Sequence, residues 1–293
     1  SSDLYSIGDL HLGVSYAALL LLFLSAHEFG HFIASRLHGV DATLPYYIPF
    51  PGYLWQSLNF GTLGAVIRTR SRVPSSAAMF DIGVAGPLAG FVVCLVYLIV
   101  GYATLPAPSY LEQIHPGYAL MQHADGFGEL TFGSSLLISG IRSLFAHGST
   151  PLPPMREIAH YPMLCTAWFG LFVTALNLLP VGQLDGGHLT YTLFGRRTHL
   201  WLGRVTAAAL LAISLPAVVT SFLEGDTPLW LRPFVMPGGE TWLLWGVIAA
   251  FSSRRSHPPT LAEAPLDPRR QLIGYLTILI LILCFCPRPF AGG

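Results

Sequence analysis

The chain contains 293 residues, of which 53% are hydrophobic and only 10% are charged, whereas soluble domains carry about 25% charged residues. This composition excludes an ordinary soluble domain and indicates a protein of the lipid bilayer. The formal net charge is +0 and the basic residues form no dense run, so we expect no nucleic-acid partner.

Six apolar segments are candidates for membrane-spanning helices, because crossing the hydrocarbon core takes about 20 predominantly apolar residues. The fifth segment is short, and a re-entrant or interfacial helix is the alternative for it. The sequence therefore predicts an all-α membrane protein with about six transmembrane helices. The six segments cover about residues 14–37, 80–102, 163–179, 199–222, 239–251 and 271–286.

The arginines between these segments predict an orientation, because cytoplasmic flanks are enriched in basic residues. Four arginines, namely Arg142, Arg156, Arg232 and Arg288, fall on one face. The other eleven fall on the opposite face, which we expect to be cytoplasmic or its equivalent in an organelle. These are Arg36, Arg68, Arg70, Arg72, Arg196, Arg197, Arg204, Arg254, Arg255, Arg269 and Arg270.

The connection between the first two segments, residues 39–78, contains a strand-like run. After a Pro-rich stretch at 45–52, the residues at 60–70 become β-branched and partly alternating, as strands do. We expect a small β element at the cytoplasmic membrane face. The connection at 103–162 is predicted to be a surface or re-entrant segment on the outer face, with an amphipathic stretch near 132–145.

The first apolar segment contains an HExxH pattern from His27 to His31. Residues four apart share one helix face, so His27 and His31 can present both imidazoles to one Zn²⁺, while Glu28 serves as general base. Ionisable side chains are costly inside a span, which makes the pattern more specific there. The alternative is a pair of core histidines beside a buried glutamate.

A third ligand is expected, because catalytic zinc sites normally use three protein ligands. The sequence offers Asp185, in the run from Asn177 to His188 at the end of the third apolar segment. Pro180 and the neighbouring glycines interrupt the helix there. Since the first and third segments both run inward, the histidines and Asp185 should arrive at the same depth.

These segments resemble the site-2 proteases, a family of intramembrane zinc metalloproteases of regulated membrane proteolysis. The resemblance rests on HEFGH at 27–31 and on the NxxP…LDGG run at 177–187, in the family's order. It extends to GTLG at 61–64, MFD at 79–81, AGPLAG at 85–90 and LDPRR at 266–270. These features look most like the bacterial and chloroplast branch that includes the plant gravitropism-deficient proteases.

The resemblance implies a zinc metalloendopeptidase that cleaves membrane-spanning proteins, with Zn²⁺ as its cofactor. It implies a three-helix catalytic core in which His27, His31 and Asp185 bind zinc. Glu28 is then the general base, and Asn177 helps to position the substrate or its oxyanion.

The resemblance also implies that the strand-like run holds an unwound substrate by β-augmentation. Its candidate substrate-binding residues are Gly61, Thr62, Leu63 and Gly64. The chain at 1–293 is then one polytopic protease domain, with its catalytic core at about 14–190 and C-terminal helices at about 199–286.

We expect membrane-spanning protein substrates and the lipid bilayer as partners. A bacterial-type plasma membrane is the predicted location, with a plastid membrane as the alternative, and the sequence gives no signal for an oligomeric state. The chain opens with Ser1 rather than an initiator Met, which is compatible with a start downstream of a signal or an earlier span.

Two other functions are open, namely a zinc-handling transporter and a protease-like scaffold without activity. Glu28 at the protease spacing, and the lack of a second intramembrane ligand cluster in the sequence, favour the protease over the transporter. The four filled catalytic positions argue against an inactive scaffold. His188 is a further candidate beside the metal ligands, and Asp81 is predicted to cap the second helix.

Overall fold

The computed structural model describes residues 10–49, 62–107, 109–114, 131–146, 151–223, 227–253, 261–262 and 264–291. Within these ranges the chain is mostly helical, with two short two-stranded sheets. The helices are α1 (Leu10–Leu37), α2 (Ser76–Ala103), α3 (Ser109–Ile114), α4 (Leu136–Phe145), α5 (Pro162–Asn177), α6 (Asp185–Ser221), α7 (Thr241–Ser252) and α8 (Pro268–Cys284), with 3-10 turns at Met155–His160 and Arg232–Phe234. The strands are β1 (Tyr46–Pro49), β2 (Thr62–Val66), β3 (Thr131–Phe132) and β4 (Phe290–Ala291).

Helices occupy all six predicted positions, but six membrane spans are not established. In the part of the chain that the structure describes, three helices are long and apolar enough to cross a bilayer, namely α1 over Gly13–Leu37, α2 and α6. Helices α5, α7 and α8 contain 16, 12 and 17 residues, whereas a span needs about 20. The prediction is therefore confirmed for a mostly helical fold with a small sheet, and not for the number of spans.

Helices α1, α2 and α5 pack against one another and form the centre of the fold. Phe23 of α1, Cys94 of α2 and Leu171 of α5 are completely buried there. Gly170 permits this approach, because a Cβ at that position would overlap the sulfur of Cys94. Small residues at such contacts let helix backbones come close.

The predicted β element forms as an antiparallel pair of β1 and β2, with Tyr46 opposite Val66. The ladder continues beyond β2, because Ala42 bridges Thr69. The segment that begins at Thr62 therefore stays extended past the end of β2, and residues of the 41–49 stretch cover one of its edges.

The backbone hydrogen bonds on either side of Thr69 show which of its groups face the opposite edge of this segment. The Thr43 N–H donates to the carbonyl oxygen of Arg68 at 3.0 Å, and the Arg70 N–H donates to the carbonyl oxygen of Asp41 at 2.8 Å. Backbone groups of successive residues in an extended strand point to alternate edges. The N–H and C=O of Thr69 therefore point away from Asp41 and Thr43.

Asp81 does not cap α2, contrary to the sequence prediction. Ser75 is the cap, and its hydroxyl accepts a hydrogen bond from the Ala78 N–H at 3.1 Å. Asp81 lies six residues beyond Ser75 in the helix, where its carboxylate accepts hydrogen bonds from Arg270 of α8 and pairs with His38 at 2.8 Å. Its role is thus to connect α2 with α8 and with the residue after α1.

Arg270 also binds Asp267, the residue that caps the first turn of α8. The guanidinium holds the pKa of the Asp267 carboxyl below its usual value, because it donates a hydrogen bond to the charged form. The LDPRR run at 266–270 therefore caps the N-terminus of α8 and attaches this helix to α2.

Candidate metal centre

His27 and Glu28 lie on the middle turns of α1 and are buried there, at 4% and 8% exposure. His31 follows one turn later, and its Nε2 atom lies 3.2 Å from Nε2 of His27. The i,i+4 spacing thus brings both imidazoles to one point, as the helix geometry predicts.

Asp185 reaches the same point from the first residue of α6. Its Oδ2 atom lies 3.5 Å from Nε2 of His27 and 3.4 Å from Nε2 of His31. Within the described ranges, this is the group of three His, Cys, Asp or Glu side chains that can hold a metal ion.

The glycines around Asp185 make its position possible. The loop between α5 and α6 turns at Gly182, whose φ of 54° lies in the left-handed region that favours glycine. Cβ atoms added at Gly186 and Gly187 would overlap the carbonyl oxygens of Leu178 and Gly182. The LDGG sequence is therefore what allows the loop to fold tightly and present Asp185.

The three donor atoms fit a zinc ion. Tetrahedral coordination with ligand bonds of about 2.0–2.1 Å places the donor atoms roughly 3.3–3.4 Å apart. The observed separations of 3.2, 3.4 and 3.5 Å agree with that spacing. Two imidazole nitrogens and one carboxylate oxygen are also a donor set that catalytic zinc sites use.

The backbone of α2 fixes the orientation of His31. Nδ1 of His31 lies 2.7 Å from the carbonyl oxygen of Ile82, so Nδ1–H donates and the lone pair of Nε2 is directed at the cluster. Sequence reasoning missed this contact, because a main-chain oxygen leaves no signature in residue types.

Two glycines of α2 shape the space around the histidines. A Cβ at Gly86 would overlap the imidazole of His31. A Cβ at Gly90 would lie 3.2 Å from Nδ1 of His27. The AGPLAG run therefore provides a flat helix surface against which both imidazoles pack.

Asn177, the last residue of α5, lies beside the cluster. Its Nδ2 atom is 3.3 Å from Nε2 of His27. His188 is one turn into α6 and lines the same cavity, although it does not belong to the three-residue cluster.

The cluster opens into a cavity of about 870 Å³. One wall carries His27, Glu28, His31 and Asp185, and another is the extended segment, with Ala65 to Ile67, Thr69 and Arg72. A strand edge therefore borders the space in front of the metal ligands.

The structure describes three of the four predicted substrate-binding residues. Thr62 and Gly64 belong to β2, where the Thr62 hydroxyl accepts from the Gly64 N–H at 2.9 Å. Leu63 is also in β2, and Gly61 lies outside the described residues. Among the described residues of this segment, Ala65 to Ile67 line the cavity, whereas Thr62 and Gly64 do not.

Ser35 is a cavity residue that the sequence reasoning overlooked. It is 1% exposed, and its hydroxyl has no hydrogen-bond partner among the described residues. It lies one turn beyond His31 on the same face of α1 and lines the cavity. The i,i+4 spacing from His31 is a signal that could have identified it.

Comparison with known proteins gives a consistent result. Residues 15–220 match the model of the family described as Peptidase family M50. The chain is 27% identical over 295 residues to the Arabidopsis thaliana protein named "Probable zinc metalloprotease EGY2, chloroplastic", which covers 99% of this chain and 45% of that protein. No solved structure matches the chain.

Two further relatives carry similar names. The EGY2 protein of Oryza sativa subsp. indica is 26% identical over 280 residues, covering 95% of this chain and 43% of its own length. The Arabidopsis thaliana protein "Probable zinc metalloprotease EGY1, chloroplastic" is 29% identical over 282 residues, with 95% and 43% covered. The chain thus spans a little less than half the length of these relatives.

Proposed function

The chain belongs to peptidase family M50, the site-2 protease family that its sequence resembles, and we propose that it is a zinc metallopeptidase that cleaves membrane-spanning proteins. The observation that carries the proposal is the convergence of His27, His31 and Asp185 next to Glu28, in a cavity bordered by a strand edge.

His27 and His31 would hold the metal through Nε2, and Asp185 through Oδ2. When bound, zinc supplies Lewis acidity, which makes water nucleophilic near neutral pH and polarises a carbonyl group. The contact between His31 and the Ile82 carbonyl keeps one ligand in the correct tautomer.

Glu28 is proposed as the general base. Its carboxylate lines the cavity one residue from His27, where it can take a proton from the attacking water and return it to the nitrogen of the leaving amine. The Asn177 amide adjoins His27, so its N–H can donate to the carbonyl oxygen of the scissile peptide as negative charge develops there.

An extended substrate fits the geometry of the cavity. A helical peptide hides its carbonyl groups in internal hydrogen bonds, and unwinding in lipid exposes backbone groups that cost several kcal/mol each. The N–H and C=O of Thr69 have no backbone partner among the described residues, so this free edge can pair with such a peptide. The segment from Thr62 to Arg72 would thus hold the substrate strand beside Glu28.

The surface of the helices supports a bilayer setting. Leu21, Leu22 and Ile33 of α1, and Val92 and Val96 of α2, are all exposed. Exposed apolar side chains along helices of this length are typical of contact with lipid or another apolar partner.

We also propose a plastid membrane as the location and a role in regulated proteolysis. The predicted bacterial-type plasma membrane has no support among the comparisons, whereas the EGY1 and EGY2 relatives carry chloroplastic names. The division into a catalytic core at about 14–190 and C-terminal helices at about 199–286 is retained as part of the proposal. It agrees with a kink in α6 at Gly195, where φ is 77°.

A zinc transporter fits less well. Transport requires ligands along a path, whereas the described residues contain one cluster with three metal-binding side chains. Glu28, beside the cluster, is not needed for transit.

The deciding experiment uses purified protein in detergent with a panel of single-span protein substrates. Cleavage within or next to the span should cease after treatment with a zinc chelator and return when zinc is added back. Cleavage that persists in chelator-treated protein with no measurable zinc would show that the proposed function is wrong.

A further inference from the structure

Three arginines occupy every second position of the segment that continues β2, namely Arg68, Arg70 and Arg72. We call them the arginine row. All three are exposed, and no ion pair involves them in the part of the chain that the structure describes. Arg36, by contrast, lies 3.6 Å from Asp41. Three arginines without an ion pair among the described residues thus occur within five positions of a chain whose formal net charge is +0.

The arginine row borders two cavities. Arg72 lines the cavity that holds His27 and the other metal-cluster residues. Arg68 and Arg70 line an adjoining cavity of about 540 Å³, and Thr69 belongs to both. One of the three arginines thus lies in the cavity of the metal cluster, and the other two line the cavity next to it.

A substrate that pairs with this strand edge would pass close to the three arginines. A peptide that pairs with the segment at 65–67 and continues in extended form would run alongside 68–72. Opposite charges on neighbouring strands attract one another, and guanidinium groups bind carboxylates with two parallel hydrogen bonds. The partner that best complements the row is therefore an extended peptide with acidic side chains.

We propose that Arg68, Arg70 and Arg72 form a recognition site for an acidic segment of the substrate, next to the bond that is cleaved. The inference rests on the proposed protease function and specifies its substrate class, namely membrane proteins with Asp or Glu residues in the extended segment that adjoins the span. Anionic lipid headgroups are the rival occupant. They would account for cations at the membrane surface, but not for Arg72 in the same cavity as the metal cluster.

Binding can be measured without turnover by using the full chain with Glu28→Gln, loaded with zinc in detergent micelles. Two labelled single-span peptides are compared, identical except for three Glu or three Gln residues at alternate positions in the segment that adjoins the span. The acidic peptide should bind about tenfold more tightly. Adding Arg68→Gln, Arg70→Gln and Arg72→Gln should abolish that preference, while zinc content stays at one ion per chain.

Arg204→Gln is the matched control, because Arg204 is an exposed arginine of α6 that lines neither cavity. This variant should keep the preference for the acidic peptide. An equal loss in the Arg204 variant would show a general effect of net charge and would overturn the proposal. Equal affinity of the two peptides for the protein with all its arginines would overturn it as well.

The lipid alternative is tested in nanodiscs of phosphatidylcholine with or without phosphatidylglycerol. Two results together would show that the arginines contact lipid and that the proposal is wrong. The protein would show no preference for the acidic peptide, and the triple variant would differ from the protein with all its arginines only in how much phosphatidylglycerol it binds. If the Glu28→Gln protein prefers the acidic peptide but the protein with Glu28 intact cleaves no substrate, the arginine site is supported and the proposed protease function fails.

Discussion

Arg270 binds Asp81 through two hydrogen bonds, from Nε to Oδ1 at 2.9 Å and from Nη2 to Oδ2 at 2.6 Å, across 189 positions of sequence. Asp81 directly precedes Ile82, whose carbonyl oxygen orients His31. The C-terminal helix α8, which lies beyond the residues that match the family, is thereby attached to the turn of α2 that supports the metal cluster.

Arg270→Lys should lower the melting temperature of the protein by several degrees. Circular dichroism in detergent measures this change. Lysine keeps the charge but cannot make the paired hydrogen bonds of a guanidinium, and hydrogen bonds to charged groups contribute about 1.5–3 kcal/mol in partly buried settings. Arg269→Lys is the control, because Arg269 is an exposed neighbour. Identical melting temperatures for the two variants would mean that the Asp81 contact does not stabilise the fold.

Glu28→Gln should retain zinc and the folded state while the cleavage rate falls by roughly 10²-fold or more, since losing a general base typically costs about 10²–10⁴ in rate. Glutamine has nearly the same shape but cannot accept the proton. Single-turnover cleavage and metal analysis on the same preparation provide the measurement. A rate near that of the unmodified protein would exclude Glu28 as the base.

His31→Ala and Asp185→Ala should each reduce zinc from one ion per chain to a small fraction, because three protein ligands are the usual minimum for a catalytic site. His188→Ala is the control, since His188 lines the cavity without joining the cluster. Metal content is measured by mass spectrometry after dialysis against a weak chelator. Full occupancy in Asp185→Ala, or loss in His188→Ala alone, would show that the ligand set is assigned incorrectly.

Gly86→Ala should weaken zinc binding by about tenfold or more, because its added Cβ overlaps the His31 ring and the supporting contacts of metal ligands typically affect affinity about 10–100-fold. Gly140→Ala in α4 is the matched control, since a Cβ there meets nothing within 4 Å. Competition with a fluorescent zinc indicator measures both. Equal zinc affinities would mean that α2 does not determine the position of His31.

Thr69→Pro should reduce cleavage strongly with zinc content unchanged. Proline removes the N–H that points to the free edge, while the hydrogen bonds of Arg68 and Arg70 to the opposite strand remain. Thr69→Val keeps the N–H and the β-branched shape, and it should cleave almost normally. If the two variants cleave at equal rates, the free edge does not hold substrate as a strand.

The local part of the site followed from sequence. His27, Glu28 and His31 share one helix, so the helical period alone brings the two imidazoles together, and family membership confirmed the resemblance that these residues indicate. The β-branched run after the Pro-rich stretch likewise predicted the small sheet, because strand periodicity depends on neighbours in sequence.

The remaining features were decided by packing between distant segments. Asp185 meets His31 only because the glycine-rich loop brings α6 against α2, and Asp81 serves as a partner of Arg270 rather than as a helix cap. A sequence pattern records periodicity within an element, but it does not record which elements come into contact. The sequence predicted Asp185 as the third ligand, but only the tertiary structure gave its distances to the two histidines. The Ile82 carbonyl beside His31, and the lack of ion pairs to Arg68, Arg70 and Arg72 among the described residues, likewise became clear only there, because contacts between elements set the distances between charged and polar groups.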